Sequence, residues 1–320
     1  MTIISGFLGK YGLACGIVFS HIFLPIYRAQ ILIVTLAISV FSNTLIKMVL
    51  KEPRPFFVSD EFVPDKWEFE YGFPSGHSQT AVTFYLTVIT LVFKEYNIQR
   101  GRYLAYLLVV FWCFTVGMTR VSLGVHTFEQ ILVGFGLGLI VHICTCHLFL
   151  KQLEDAFRGI ETGKTAFFSK LFYMYIGFDF IVIILYNVNT SYSFIPSEWT
   201  KNIMHQCANN NKFISIDYES LNKQFNTSGK LGCYCAAFIL RKFNKNDFKR
   251  LHIEGFKQIV SRTLINLCFG AVVSIPVLLV PLKSYTPVAI FFRCFLPTFS
   301  CGFLIVLCHN EIWRRFKVIK

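Results

Sequence analysis

The sequence predicts an all-α fold, a polytopic membrane bundle with about nine transmembrane helices. Three observations predict it. The 320 residues are 54% hydrophobic with a mean hydropathy of +0.53, too apolar for a soluble domain. Their apolar residues fall in runs long enough to cross a bilayer. The basic residues, which leave a net charge of +13, cluster between those runs. Cytoplasmic loops of membrane proteins read this way, so the partner implied by the charge is the lipid bilayer and no nucleic acid is expected.

The first apolar run, residues 7–27, is read as a membrane helix and not a signal peptide, because it lacks a small-residue cleavage site and runs straight into the next apolar stretch. Further spans are predicted at 30–50, 78–94, 103–119, 127–150, 171–188, 229–240, 259–282 and 287–309. Residues 1–188, with the first six of these helices, are the expected core. Residues 189–320 add a polar loop, three further helices and a basic tail. Between the fifth and sixth spans, residues 151–170 mix both charges with Phe157, Phe167 and Phe168, the pattern of a segment lying on the cytoplasmic interface.

Threading the spans alternately puts Arg28, Lys94, Arg100, Arg102, Lys151, Arg158, the basic run 241–262 and Arg314 to Lys320 on one side, which is cytoplasmic by the positive-inside rule. The other side receives the acidic loop 51–74, the short link 120–126 and the polar loop 189–228, so the amino terminus is expected outside and the carboxyl terminus inside. Two sequons, at Asn189 and Asn226, fall in the loop threaded outside. Most of the eleven cysteines, Cys113, Cys144 and Cys146 among them, sit in apolar runs and are assigned to packing.

Polar residues interrupt the apolar pattern at three helix ends, all threaded to the outer side. In the first island, Lys47 lies in the last turns of the second span and Arg54 follows between Pro53 and Pro55. A lysine inside an apolar helix is expensive and usually functional, and an arginine stiffened by prolines suits a fork-shaped donor aimed at a tetrahedral anion. The second island is Tyr71–Gln79, with Ser75 placed as an N-cap, Gly76 allowing a tight turn, and His77 on the first helical turn beside free amides that favour a phosphate. The third is Thr119–His126, where Arg120 ends one helix and His126 begins the next. Three cations, helix-start amides and two imidazoles answer the needs of phosphoryl transfer: cations hold the equatorial oxygens, one histidine attacks and the other protonates the leaving oxygen. The cations would repel a metal ion and no ligand triplet appears at metal spacing, so neither a metal nor another cofactor is expected.

Lys47-x6-Arg54-Pro55, Pro74-Ser75-Gly76-His77 and Thr119-Arg120-x5-His126 resemble, in order and spacing, the signature of the type 2 phosphatidic acid phosphatase superfamily. The resemblance implies that Lys47, Arg54 and Arg120 bind phosphate together with Ser75 and Gly76, that His126 is the nucleophile forming a phosphohistidine, and that His77 is the acid for the leaving group. Two positions depart from the signature. Thr119 stands for serine and keeps a hydroxyl. Gln130 stands for the aspartate that fixes the tautomer of the nucleophile; its amide oxygen, one turn below His126, is the expected acceptor for the ring N–H, with Glu129 as the alternative carboxylate.

The implied activity is a membrane phosphatase hydrolysing a phosphate monoester, foremost a lipid phosphate, at the lumenal or extracellular face, with the endoplasmic reticulum as the favoured compartment. Glucose 6-phosphate and dolichyl pyrophosphate are the alternative substrates, because glucose-6-phosphatases and dolichyl-pyrophosphate phosphatases are similar in carrying glutamine at the position of Gln130. The competing class is a catalytically silent membrane scaffold or lipid-binding subunit, supported by Gln130 and opposed by the intact His77 and His126. A transporter would call for paired broken spans in matching halves, which the sequence lacks.

Overall fold

A computed structural model describes residue 20 and residues 23–59, 61–65, 67–159, 166–192, 195–206 and 215–221. Every regular element among the described residues is helical: α1 (Ile26–Leu50), the single turn α2 (Pro55–Val58), α3 (Gly76–Tyr96), α4 (Arg102–Ser122), α5 (Phe128–Ile143) with a π-helical turn at Cys144–Leu148, α6 (Leu150–Gly159), α7 (Ala166–Tyr192) and α8 (Ser197–Gln206). The spans expected at 30–50, 78–94, 103–119, 127–150 and 171–188 fall on α1, α3, α4, α5 and α7. Most of the span expected at 7–27, the three expected beyond residue 228, and both termini lie outside the described residues. Among the described residues, three stretches, Tyr27–Val58, Arg102–Ser122 and Phe128–Leu148, are long and apolar enough to cross a membrane, and a fourth joins them if Ile176–Tyr192 and Ser197–His205, bent by 100°, count as one broken span.

The helix α3 is absent from those stretches although a span was expected there. It is a 21-residue helix, but one side of it is polar and satisfied from within the bundle. Gln79 Nε2 donates to Ser39 O at 2.8 Å and its Oε1 accepts from Asn43 Nδ2 at 3.0 Å. Thr83 Oγ1 lies 3.1 Å from Ser39 Oγ and donates to Gly138 O at 3.2 Å. Each of these buried groups has a partner, which is the condition for polar residues inside a membrane bundle. The apolar residues Ala81, Val82 and Leu86 pack with Cys113 and Val116 of α4. Outward residues of α4, including Leu104, Leu107, Leu108, Phe111 and Phe114, stay exposed, as expected of a helix with hydrocarbon beside it.

The helix ends follow local chemistry. Ser75 caps α3 by accepting from Ser78 N, and Asn97 ends it in the left-handed region at φ 51°. Gly124, at φ 68°, supplies the reversal between α4 and α5 that Cβ-bearing residues resist. Thr127 opens α5 with a reciprocal capping box to Gln130.

Described residues of Leu32–Leu150 and Ile181–Gln224 form one compact unit, and those of Pro25–Ile31 and Lys151–Phe180 belong to a second. In the second, Arg28 Nε meets Glu154 Oε1 at 3.0 Å and Arg158 Nη2 donates to Tyr27 Oη at 2.8 Å. Leu153 and Phe157 are buried while Lys151, Gln152 and Asp155 face outward, so α6 is amphipathic.

Two glycines set the spacing of α3 and α5. A Cβ on Gly134 would stand 2.7 Å from Ser75 O, and one on Gly138 would stand 2.5 Å from Gln79 O, so α5 lies directly on the backbone of α3. Both α3 and α5 carry a candidate histidine at or just before their first turn, so this contact fixes the distance between them. Gly138→Ala is expected to lower stability by about 1–3 kcal/mol, because the obstructing atom is backbone and cannot swing away. Gly136→Ala, where a Cβ meets nothing within 4 Å, is expected to be neutral. Thermal unfolding of the two variants in the same detergent checks the contrast.

Candidate active site

The three islands meet in the first unit. Pro53 and Pro55 direct the chain out of α1 so that Arg54 lies inward, fully buried, at the N-cap of α2. Its guanidinium is used on every edge. Nε donates to Glu70 O at 2.7 Å, Nη1 to Val125 O at 2.8 Å, and Nη2 lies 3.2 Å from both Glu70 Oε1 and Glu68 Oε2. Lys47, with no exposed surface, donates to Tyr71 O and lies 3.5 Å from Glu70 Oε1. Arg120, in the last turn of α4 and 1% exposed, pairs through Nη2 with Glu68 Oε1, while its Nε is buried without a hydrogen-bond partner. Arginine pairing of this kind is geometrically demanding and strong when dry.

His126 lies between α4 and α5, 2% exposed, with Nε2 3.0 Å from Arg54 Nη1 and Nδ1 3.0 Å from Gln130 Oε1. A guanidinium only donates, so Nε2 must carry the lone pair and the proton must sit on Nδ1. Gln130 is fixed by the same logic: its Nε2 donates to Pro53 O at 2.9 Å, which turns Oε1 toward the ring. Thr127 N also donates to that Oε1, at 3.4 Å, within the capping box. Gln130 is therefore both the helix cap and the acceptor for His126. Burial first, then Arg54, Lys47 and Arg120, hold the imidazole well below the ordinary histidine range, although Glu68 opposes them. The geometry offers a neutral imidazole whose Nε2 lone pair faces the arginine.

The other residues singled out in the sequence fall as follows. His77, on the first turn of α3, is partly open, with Nδ1 4.0 Å from Glu68 Oε1. Ser75 is fully buried; its Oγ accepts from Ser78 Oγ at 3.0 Å, and its N–H donates to Gln130 O at 2.9 Å, which ties the start of α3 to α5. Gly76 is the first residue of α3. Glu129 is exposed, and Gln130 takes the His126 Nδ1–H instead.

Several groups that sequence reading passed over are central here. Glu68 and Glu70 were read as acids of an outer loop, yet both enter the cation cluster. Burial would push the Glu68 carboxyl up, but His77, Arg54, Arg120 and His126 around it hold it well below the usual carboxylate range. The segment read as an outer polar loop packs on the site as well. Tyr71 Oη donates to Asp217 Oδ1 at 3.1 Å, and Asn189 Nδ2 donates to Asp217 Oδ1 at 3.3 Å and to Met48 O at 3.0 Å. Ile203 and Ile216 join Phe56, Phe57, Tyr71, Leu123 and Val125 in one apolar cluster. Asn189 is 4% exposed with its amide engaged, so this sequon is no glycan acceptor and lends no support to the threading. The other sequon, at Asn226, lies outside the described residues.

Residues 28–154 match the PAP2 superfamily. The chain is similar to phosphatidylglycerophosphatase B of Bacillus subtilis, 31% identical over 100 residues, which is 31% of this chain and 47% of the relative. It is also similar to dolichyldiphosphatase of Saccharomyces cerevisiae, 31% identical over 106 residues, which is 31% of this chain and 42% of the relative. The chain thus covers less than half the length of either relative. No solved structure matches it. The matched stretch contains all three polar islands, and over it this chain is similar to the PAP2 superfamily.

Proposed function

We propose that this chain is a membrane phosphatase that hydrolyses a phosphate monoester, foremost a lipid phosphate, through a phosphohistidine on His126. The observation that carries this reading is the convergence of Arg54, Arg120, His77 and the Nε2 side of His126 on one small polar centre. In the proposed cycle Arg54 and Arg120 hold the phosphoryl oxygens, with Lys47 behind them as a further cation. His126 Nε2 attacks phosphorus in line, its Nδ1–H remaining on Gln130 Oε1 while positive charge develops on the ring. The bond from phosphorus to the ester oxygen breaks as His77 passes a proton to the leaving alkoxide. His77, now neutral, takes a proton from water, whose oxygen attacks the phosphorus of the phosphohistidine. Phosphate leaves and His126 is again neutral.

Gln130 in place of a carboxylate fits this cycle in one respect and limits it in another. The amide orients the ring as a carboxylate would, but it offers no full charge to the developing imidazolium. Slower turnover with intact geometry is the expected consequence.

The names of the two relatives point to two kinds of lipid phosphate, and a substrate panel separates them. Purified full-length chain in detergent, without added divalent metal, is expected to release phosphate from at least one of phosphatidylglycerophosphate, dolichyl diphosphate and phosphatidate. Release from glucose 6-phosphate alone would move the substrate class to soluble sugars. Silence on the whole panel would favour the scaffold reading.

A further inference from the structure

We propose that Glu68 is an internal occupant of the phosphate site, a carboxylate that a phosphate ester must displace before His126 can reach phosphorus. Its two oxygens lie against the cations that the proposed cycle assigns to the phosphoryl group. Oε2 is 3.2 Å from Arg54 Nη2, and Oε1 pairs with Arg120 Nη2 and lies 4.0 Å from His77 Nδ1. The same Arg54 carries His126 Nε2 at 3.0 Å through its other terminal nitrogen, so the carboxylate stands between the two arginines and beside His77, with Arg54 between it and His126. A carboxylate presents two oxygens to paired guanidinium groups much as a phosphate presents two of its equatorial oxygens.

Glu70 differs, although it lies only two residues on. It is 7% exposed, pairs with Lys47 as well as Arg54, and its own backbone oxygen accepts from Arg54 Nε, so it belongs to the frame of the site.

The neighbours of Glu68 show how it can leave. Trp67 stacks with Phe69 at 6.3 Å and meets Phe56 edge-on at 5.5 Å, and both Trp67 and Phe69 pack against the apolar cluster of Phe57, Ile203 and Ile216. The backbone on either side of Glu68 is therefore anchored, and withdrawal is a rotation of one side chain, which keeps 12% of its surface open. Among the ion pairs of the described residues, Lys47, Arg54 and Arg120 meet the carboxylates of Glu68 and Glu70, and Glu68 swinging out removes one of those negative charges from beside Arg54 and Arg120, which an incoming dianion would replace.

An occupant that leaves completely lowers the apparent affinity of every anion by one common factor, the fraction of molecules with the site open. Because the inference rests on the phosphatase reading, its test uses binding as well as turnover. Full-length wild type and Glu68→Gln are titrated calorimetrically in detergent with orthovanadate and with inorganic phosphate. The variant is expected to bind both at least about tenfold more tightly, by the same factor, with KM falling in step. Glu68→Asp, which keeps the charge on a shorter stem, is expected to give a smaller gain of the same kind, and it carries the test if the glutamine variant does not fold. Unchanged anion affinity with a lower kcat would make Glu68 a partner of His77 and overturn the inference while leaving the phosphatase reading intact. A gain that differs between vanadate and phosphate would mean that Glu68 stays beside the bound anion, and would also overturn it. Failure of wild type and Glu68→Gln alike to bind either anion would overturn both.

Discussion

Replacing His126 with glutamine is expected to lower phosphate release by at least about 10³-fold on the preferred substrate, with KM and vanadate affinity changed far less. The prediction follows from position and protonation. Arg54 can only donate to Nε2, so the lone pair is already on the atom that would attack, and Gln130 holds the proton on the other nitrogen. A ring that served only to pack would not need both nitrogens engaged at 3.0 Å in a site from which water is largely excluded. The wild-type chain is expected to retain labelled phosphate after an alkaline quench and to lose it in acid, as a phosphohistidine does, and the variant to retain none.

The same residue makes the protein sensitive to acid in a defined window. His126 is held well below 6.5 in the folded state, whereas the unfolded chain protonates near 6.5. Below that pH the unfolded state binds one more proton than the folded state, so stability falls as pH falls, by at most about 1.4 kcal/mol per pH unit. Glu68 acts lower: its depressed carboxyl contributes stability that is fully present above about 4.3 and is lost only as pH drops through its folded value. Between roughly pH 6.5 and 5 His126 contributes to the decline, and thermal unfolding of His126→Gln is expected to be flatter there.

Much of this site could be read from residue order because its parts sit at helix ends, where local chemistry is strong. Arg54, Ser75, His77 and His126 each adjoin a Pro, a Gly or a capping residue, Lys47 and Arg120 lie in the last turns of their helices, and the described helices begin and end within a few residues of the expected spans. The orientation of Gln130 was legible too, since Thr127-x-x-Gln130 is a capping box that turns the amide back over the preceding loop. The acidic partners were not. Glu68 and Glu70 stand among Asp60, Glu61 and Asp65 in a stretch that reads as solvated loop, and only tertiary closure carries Glu68 and Glu70 inward. Asp217 lies 146 residues from the tyrosine it accepts from, a separation no local pattern bridges. The polarity of α3 is the same lesson in reverse, because Gln79 and Thr83 look costly in a membrane until their partners on α1 and α5 are placed beside them.

Arg54→Met is expected to be the most damaging single change to stability, at about 3–5 kcal/mol, because removing one member of a dry ion cluster leaves the others charged and short of partners. The guanidinium bridges segments far apart in the chain: Glu70 O at 2.7 Å, Val125 O at 2.8 Å and His126 Nε2 at 3.0 Å, with Glu68 and Glu70 carboxylates at 3.2 Å. Methionine fills most of the volume and satisfies none of them. Arg54→Lys separates the structural part from the phosphate-binding part. Its ammonium keeps the charge that Glu68 and Glu70 require, so the stability loss should be smaller than for methionine, but a single point donor cannot serve the backbone oxygens and a phosphoryl oxygen together. Activity is therefore expected to fall at least about 10²-fold, and vanadate affinity with it, in a protein that remains folded. Should Arg54→Lys lose stability as severely as Arg54→Met while the surviving folded fraction turns over normally, Arg54 would be a strut alone, and phosphate binding would fall to Arg120 and Lys47.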